Sequence, residues 1–184
     1  MERKKVLVIL ADGFEETEAV VPIDILRRAG LKVITAGLNK KSARGSHGLE
    51  ILADTRIEDI SGEFDALLLP GGSPGAENLS RSGALRDVII KMSKSGGIVA
   101  AICASPVLVL APLGVLDGKK ATCYAGMEKE FTEKISYSGD NVVVDGNIIT
   151  SRGPGTAAEF GFRITEILSG RSVADELRKK MLFA

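Results

Sequence analysis

The sequence predicts an α/β fold in which a mainly parallel sheet is covered by helices on both faces. Short apolar runs, typical of strands buried on both faces, alternate along the chain with helical patterns. This alternation favours parallel pairing, because a crossover helix then connects neighbouring strands. No repeat, low-complexity tract or linker divides the 184 residues, so we expect one domain over residues 1–184.

The first half of the chain begins with a buried strand at residues 5–10, which ends at Ala11-Asp12-Gly13. A helix is predicted over residues 15–29, because glutamates fill its first turn and Gly30 follows its last. The later predicted elements are a strand at 31–36, a polar loop at 37–48, strand-like pieces at 49–53, a strand at 65–69 and a helix at 82–94.

The second half begins with a strand at residues 97–102 and a helix at 106–111, whose first turn tolerates Pro106. Asp145-Gly146 predicts a hairpin over residues 142–150. The remaining predicted elements are a short strand at 121–124, a short helix at 127–134, and helices at 157–168 and 173–180.

Composition excludes several classes of function. The 24 basic and 24 acidic residues balance, so we expect no nucleic-acid partner and no membrane surface. No apolar run reaches the roughly 20 residues of a membrane span. Two cysteines form no disulfide framework, and residues 1–5 resemble no signal peptide, so we expect a cytoplasmic protein. Without metal-ligand spacing or a glycine-rich nucleotide motif, we expect neither metal nor cofactor.

Three turns follow predicted strands and precede predicted helices: residues 11–18, 70–75 and 103–106. In a parallel sheet, functional sites lie beyond the carboxyl ends of the strands. The fold therefore brings three separate segments to one place.

Cys103 lies on the third of these turns, between a buried strand and a helix. Open backbone N–H groups and the positive end of a helix lower a thiol pKa, so we expect an available thiolate. Serine hydrolases place their nucleophile on a similar elbow. The alternative is that Cys103 is a small buried core residue.

Glu18 lies on the apolar face of the first predicted helix. At about 100° per residue, Pro22, Ile25 and Ala29 fall within about 40° of it. Burial raises the pKa of such a carboxyl, and a protonated Glu18 could donate a hydrogen bond to a Cys103 thiolate. Glu16 falls on the opposite side of the helix, which faces solvent, and Glu15 lies between the two sides. Both glutamates could act only through a favourable interaction of their charge with the helix dipole.

The other candidate active-site groups are the backbone N–H groups near Cys103 and the single histidine of the chain, His47. Gly71 and Gly72 leave their N–H groups open, so these groups could form an oxyanion hole with the N–H of Ala104, or an ordinary turn. His47, in a polar loop, is either a solvated side chain or a catalytic partner that must reach Cys103. Cys123 is interpreted as structural, or as a secondary oxidation site.

Four motifs together resemble the ThiJ/PfpI superfamily, and within it the Parkinsonism-associated deglycase (DJ-one) branch. They are Ala101-Ile102-Cys103-Ala104, Leu69-Pro70-Gly71-Gly72, Glu15-Glu16-Thr17-Glu18 and the segment from Thr150 to Thr156. The resemblance implies a flavodoxin-like three-layer sandwich with a cysteine nucleophile elbow. It also implies a homodimer that packs partly through the first helix and the neighbouring loop.

The resemblance further assigns roles to residues. Cys103 would be the nucleophile and redox-sensitive thiol, Glu18 its protonated partner, and the backbones of Gly72 and Ala104 would hold an oxyanion or a sulfinate. The residues expected to line the pocket are Glu15, Tyr124, Arg152, Gly153, Pro154 and, from a partner subunit, His47.

Two functions follow from the resemblance. The first is a cofactor-free cysteine enzyme of the glyoxalase III or deglycase type, acting on small aldehydes such as methylglyoxal to give lactate. The second is an oxidative-stress sensor or chaperone that works through oxidation of Cys103. Some relatives carry an auxiliary histidine after the Ala-Thr strand, where this chain has Cys123-Tyr124.

Overall fold

The structure is a computed structural model that describes residues 3–183, so Met1 and Glu2 of the opening stretch lie outside the described residues. The described strands are β1 (Lys5–Leu10), β2 (Lys32–Gly37), β3 (Ser42–Arg44), β4 (Glu50–Leu52), β5 (Thr55–Arg56), β6 (Ala66–Leu69), β7 (Ile98–Ile102), β8 (Lys120–Ala121), β9 (Ser136–Tyr137), β10 (Val142–Asp145) and β11 (Ile148–Ser151). The described α-helices are α1 (Glu16–Arg28), α2 (Gly75–Ser80), α3 (Gly83–Ser95), α4 (Ala157–Ser169) and α5 (Arg171–Lys180).

Seven of the described strands form the main sheet, in the order β10-β11-β7-β6-β1-β2-β5. All neighbouring pairs are parallel except the hairpin β10-β11. Leaving aside the edge strands β5 and β10, the parallel strands follow the flavodoxin-like order 2-1-3-4-5. The predicted mainly parallel α/β fold is confirmed.

Helices cover both faces of this sheet and make it the middle of three layers. Alternate side chains of β1 point to opposite faces. Val6, Val8 and Leu10 pack with apolar residues of α1 and α4, whereas Leu7 and Ile9 pack with α2 and α3. Because both faces are buried, the central strands are continuous apolar runs, which is the pattern from which they were predicted.

Helix ends also follow local sequence rules. Gly30, with a φ of +80°, lies just beyond α1, and Gly96, with a φ of +81°, ends α3. Glycine suits these left-handed positions because it has no Cβ. The Ser82 side chain accepts a hydrogen bond from the Leu85 N–H at the start of α3.

The structure differs from the predicted elements at several short segments. The predicted helix at 127–134 is wrong, because only a 3₁₀ turn at Glu128–Glu130 forms there. The predicted polar loop contains β3, which pairs with β4. The segment at 121–124 contributes only Ala121 to a two-stranded sheet of β8 and β9, and α2 was not predicted at all. These segments are too short for periodicity to define them.

The helix predicted after Cys103 is a five-residue π-helical turn, Pro106–Leu110, followed by a 3₁₀ turn at Ala111–Leu113. Such turns often lie at functional sites. None of the helices described within residues 3–183 is both long and apolar enough to cross a membrane.

Candidate active site

The three turns singled out in the sequence meet at the carboxyl ends of β1, β6 and β7. Strand order reverses between β1 and β6, since the chain runs outward from β1 to β2 and later from β6 to β7 in the other direction. Ligands bind at such a switch point in open α/β sheets. The groups assembled there are the Glu18 side chain from α1, the Gly71-Gly72 backbone after β6 and the Cys103 side chain after β7.

Cys103 lies on a sharp turn between β7 and the π-helical turn. Its φ is +66°, a left-handed conformation that is costly for a residue with a Cβ. Two backbone bonds hold it there: its N–H donates to Ser151 O at 2.9 Å, and its carbonyl accepts from Tyr124 N at 2.9 Å. The side chain remains partly exposed. The surrounding structure thus fixes a strained nucleophile elbow with an accessible thiol.

Glu18 is fully buried, at 0% exposure, on the face of α1 that its helix phase predicts. Its Oε2 accepts a 2.8 Å hydrogen bond from the Gly71 N–H. Among the described residues, its Oε1 has no hydrogen-bond donor of adequate geometry. Burial raises the pKa of Glu18 to about 7, although hydrogen bonds from Cys103 and Gly71 act in the opposite direction. At neutral pH, the Glu18 carboxyl is therefore divided between its protonated and ionised forms.

The Cys103 side chain lies beside the Glu18 carboxyl, because a Cβ on Gly71 would meet both Cys103 Cβ and Glu18 Oε2. Burial, followed by the charge and hydrogen bonding of the Glu18 carboxylate, raises the pKa of Cys103 to about 12. The expected lowering of this pKa is therefore wrong while Glu18 is ionised. The N–H groups of Gly72 and Ala104 do favour the thiolate, as expected. The pair consequently titrates together, and a proton on Glu18 removes the charge that opposes the thiolate.

The Gly71-Gly72 backbone fits closely between the two side chains. A Cβ on Gly71 would lie 2.6 Å from Cys103 Cβ and 2.7 Å from Glu18 Oε2, so only glycine fits without displacing them. Gly72 has a φ of +94°, which also favours glycine. The Gly71 N–H is occupied by Glu18, whereas the N–H groups of Gly72 and Ala104 face the Cys103 sulfur. The N–H groups that remain beside the thiol are thus those of Gly72 and Ala104.

Glu15, Glu16 and His47 form a cluster at the start of α1. His47 N donates to Glu16 Oε1 at 2.7 Å, and His47 Nδ1 lies 2.9 Å from Glu16 Oε2 and 3.6 Å from Glu15 Oε2. Burial acts to raise the Glu16 pKa, but the bonds from His47 and Leu49 prevail and lower it to about 2. The prediction that Glu16 faces solvent is wrong, because the His47 loop covers it.

His47 itself is a surface side chain, 74% exposed. Its hydrogen bond to Glu16 raises its pKa. The ligand atoms of Glu15, Glu16 and His47 lie within 4.8 Å of one another, a proximity that sequence spacing did not reveal. Charge-assisted hydrogen bonds account for this cluster, and nothing in it requires a metal ion.

The remaining predicted pocket residues form one shallow cleft. Its lining includes Tyr124, Arg152, Gly153 and Pro154, and its volume is about 200 Å³. Tyr124 is 49% exposed, and a Cβ on Gly153 would lie 3.3 Å from its Cδ2 and 3.9 Å from Glu18 Oε1. The cleft therefore borders the Glu18 carboxyl. A larger cavity, of about 770 Å³, lies at the opposite, amino-terminal end of the sheet, away from Cys103.

Cys123 occupies a different environment from Cys103. It is fully buried, and burial, with smaller contributions from Glu128 and Glu130, raises its pKa to about 12. Without exposure, its thiol is an inert core group. The structural interpretation of Cys123 fits this position.

Sequence reasoning missed Ser105 and Ser151, which hold the elbow in place. Ser151 supplies the carbonyl that anchors Cys103 N–H, and the buried Ser105 hydroxyl donates to Pro70 O at 2.6 Å. A serine two residues beyond the nucleophile, in an otherwise apolar run, was the available signal for Ser105.

The fold and this site define a class of protein: a three-layer α/β protein with a cysteine nucleophile elbow at the switch point of its sheet. A model of the DJ-1/PfpI family matches residues 4–167. The chain belongs to the DJ-1/PfpI family.

Individual relatives match almost the whole chain. The protein dj-1beta of Drosophila melanogaster is 45% identical over 98% of each chain. The glutathione-independent glyoxalase DJR-1.2 of Caenorhabditis elegans is 35% identical over 99% of this chain and 98% of its own. The crystal structure of Drosophila DJ-1beta superimposes with a TM-score of 0.95 at 44% identity, covering both chains completely. That of oxidised Toxoplasma gondii DJ-1 has a TM-score of 0.95 at 37% identity, covering 98% and 99%.

Proposed function

We propose that this protein is a cofactor-free cysteine enzyme that converts small reactive aldehydes, methylglyoxal above all, to hydroxy acids such as lactate. The observation that carries the proposal is the close approach of the partly exposed Cys103 side chain to the buried Glu18 carboxyl, both next to Gly71 and beside the Gly72 and Ala104 backbone. The glyoxalase name of the Caenorhabditis elegans relative supports the choice of substrate class.

In the proposed reaction, the Cys103 sulfur adds to the aldehyde carbon of methylglyoxal and forms a hemithioacetal. The N–H groups of Gly72 and Ala104 stabilise the negative oxygen that develops during this addition. Glu18, which has a pKa of about 7, then moves the proton from the former aldehyde carbon to the neighbouring carbon through an enediol. The product of this transfer is a lactoyl thioester.

Water hydrolyses the thioester, releasing lactate and restoring the thiol. The first carbon is oxidised and the second is reduced within the same substrate, so no external electron acceptor is needed. Because water cleaves the thioester in the last step, the overall change is an internal rearrangement followed by hydrolysis. Tyr124 lines this cleft, and either it or no residue takes the role of the auxiliary histidine that some relatives carry.

Lactate production from methylglyoxal tests the proposal. Native protein should form lactate, and Cys103→Ser should lose about 10³-fold or more of this activity because the nucleophile is gone. Cys123→Ser is the matched control and should keep native activity, because Cys123 is buried away from the cleft. Equal turnover by Cys103→Ser would overturn the mechanism.

A second candidate function is favoured by the same elbow. An oxidative-stress sensor or chaperone would require a stable sulfinate on Cys103, and the N–H groups of Gly72 and Ala104 and a protonated Glu18 are suited to stabilising it.

We also propose a cytoplasmic homodimer. Exposed apolar side chains support that assembly, namely Val20 on α1, Leu52 on β4 and Leu49 just before β4.

A further inference from the structure

A buried hydroxyl beside the nucleophile takes no part in the proposed reaction. Ser105, two residues beyond Cys103, is 0% exposed, and its Oγ donates a 2.6 Å hydrogen bond to the carbonyl of Pro70. The bond joins the elbow after β7 to the loop after β6. These are the two segments that supply the thiol and the anion-binding N–H groups.

The acceptor of this bond is part of a peptide unit that also contacts Glu18. The Pro70 carbonyl and the Gly71 N–H belong to the same peptide group, and the Gly71 N–H donates to Glu18 Oε2 at 2.8 Å. One planar peptide therefore accepts from Ser105 at one end and donates to Glu18 at the other. Hydrogen bonds in such a chain polarise and strengthen each other.

The next two carbonyls of this loop are held by other elements. Gly71 O accepts from Glu15 N at 3.0 Å, and Gly72 O accepts from Ala76 N at 2.8 Å. Of these three successive carbonyls, only that of Pro70 is bound by the nucleophile elbow. Ser105 thus sets the position of the loop relative to Cys103, while the other two bonds set it relative to α1 and α2.

We propose that Ser105 is a positioning residue of the active site, whose hydroxyl aligns the Gly71 N–H with Glu18 and the Gly72 N–H with Cys103. The proposal rests on Cys103 and Glu18 being the reacting pair, as proposed above, but it does not depend on the aldehyde. Both N–H groups stabilise negative charge, on the carboxylate and on the thiolate respectively. Loss of the Ser105 hydroxyl should therefore make the pair harder to deprotonate.

The pH dependence of Cys103 alkylation by iodoacetamide, followed by peptide mass spectrometry, tests this role. Within residues 3–183, the titratable groups that act most strongly on the pair are Glu18 and Cys103, on each other, and Glu15, by its charge on Glu18. In Ser105→Ala, we expect the midpoint of the profile to rise by about half a pH unit or more. The rate at pH 7 should fall about threefold or more.

Two further variants separate positioning from general stability. Thr165→Val removes another fully buried hydroxyl that donates to a backbone carbonyl, that of Gly161 at 2.9 Å within α4. It should lower the melting temperature but leave the alkylation profile unchanged. Ser105→Thr keeps a hydroxyl donor and should retain the native midpoint. If Ser105→Ala is unfolded at room temperature, all profiles are measured at a lower temperature at which this variant is folded.

Superimposable profiles for native protein and Ser105→Ala would overturn the proposal, as would a Ser105→Thr profile that matches Ser105→Ala. A second readout is the amide proton shift of Gly71, which should move upfield in Ser105→Ala as its bond to Glu18 weakens. An unmoved Gly71 shift would also contradict the role. Absence of lactate formation by native protein would reject the proposed function alone, since alkylation needs no aldehyde substrate.

Discussion

Gly71 and Cys103 approach so closely that a Cβ on Gly71 would lie 2.6 Å from the Cβ of Cys103. The same Cβ would meet Glu18 Oε2 at 2.7 Å. Because Gly71 has no Cβ, the Glu18 carboxyl and the Cys103 side chain can both pack against its Cα. Its N–H donates to Glu18 Oε2 and so orients the carboxyl.

The first prediction concerns this spacing. Gly71→Ala should lower lactate formation by about 10²-fold, because the methyl group must push Glu18 and Cys103 out of alignment. Gly83→Ala is the matched control, since a Cβ there meets nothing within 4 Å. It should leave activity unchanged. Full activity of Gly71→Ala would contradict the close approach.

The second prediction concerns the cost of ionising Glu18. Its pKa is about 7 in the folded protein and 4.5 in the unfolded chain, so the folded state binds its proton more tightly. Stability from this group is complete below pH 4.5 and is lost as the pH rises through 7. Glu18→Gln should thus stabilise the fold at pH 8, by up to about 3 kcal/mol, and not at pH 4. Urea unfolding at both pH values measures this difference.

The same variant should be a poor enzyme. Glutamine cannot exchange a proton, so we expect kcat for lactate formation to fall about 10²-fold. A destabilised Glu18→Gln at pH 8 would show that ionising Glu18 does not cost stability. A native kcat for this variant would show that Glu18 is not catalytic.

The third prediction separates the two cysteines under oxidation. Mild peroxide should convert Cys103 to the sulfinate and stop there, because Gly72 and Ala104 N–H groups stabilise the anion. Cys123, which is fully buried, should stay reduced. Mass spectrometry of the two peptides distinguishes the products. Oxidation of Cys123 first, or direct passage of Cys103 to the sulfonate, would remove the basis for a sensor.

The fourth prediction concerns assembly. Leu52 is 77% exposed on β4, which is costly for a leucine that stays in water. Leu52→Glu should shift the protein from dimer to monomer in sedimentation velocity experiments. The control, Glu63→Gln, alters an exposed charge on a different loop and should remain dimeric. A native protein that sediments as a monomer would reject the proposed homodimer.

The sequence was sufficient to predict elements that have a regular hydrophobic pattern and a clear end. Buried strands such as β1 and β7 are unbroken apolar runs, and the helix phase placed Glu18 toward the sheet because α1 is long enough to define a face. The meeting of the three turns followed from the rule that functional sites lie beyond the carboxyl ends of parallel strands.

Features that depend on distant segments could not be predicted. Glu16 is covered by a loop about 30 residues away, so its phase on α1 wrongly suggested exposure. Likewise, the raised pKa of Cys103 depends on burial and on the Glu18 charge, neither of which a local motif contains. The bond from Ser105 to Pro70 spans 35 positions. Such contacts are set by packing rather than by local propensity.

Coupled titration of Cys103 and Glu18 is the central claim, and the pH profile of Cys103 alkylation in native protein and Glu18→Gln tests it most directly. The native profile should contain an inflection near pH 7, where the Glu18 carboxyl ionises. Glu18→Gln should lack this inflection and titrate as a single thiol with a different midpoint. Identical profiles in the two proteins would contradict the claim.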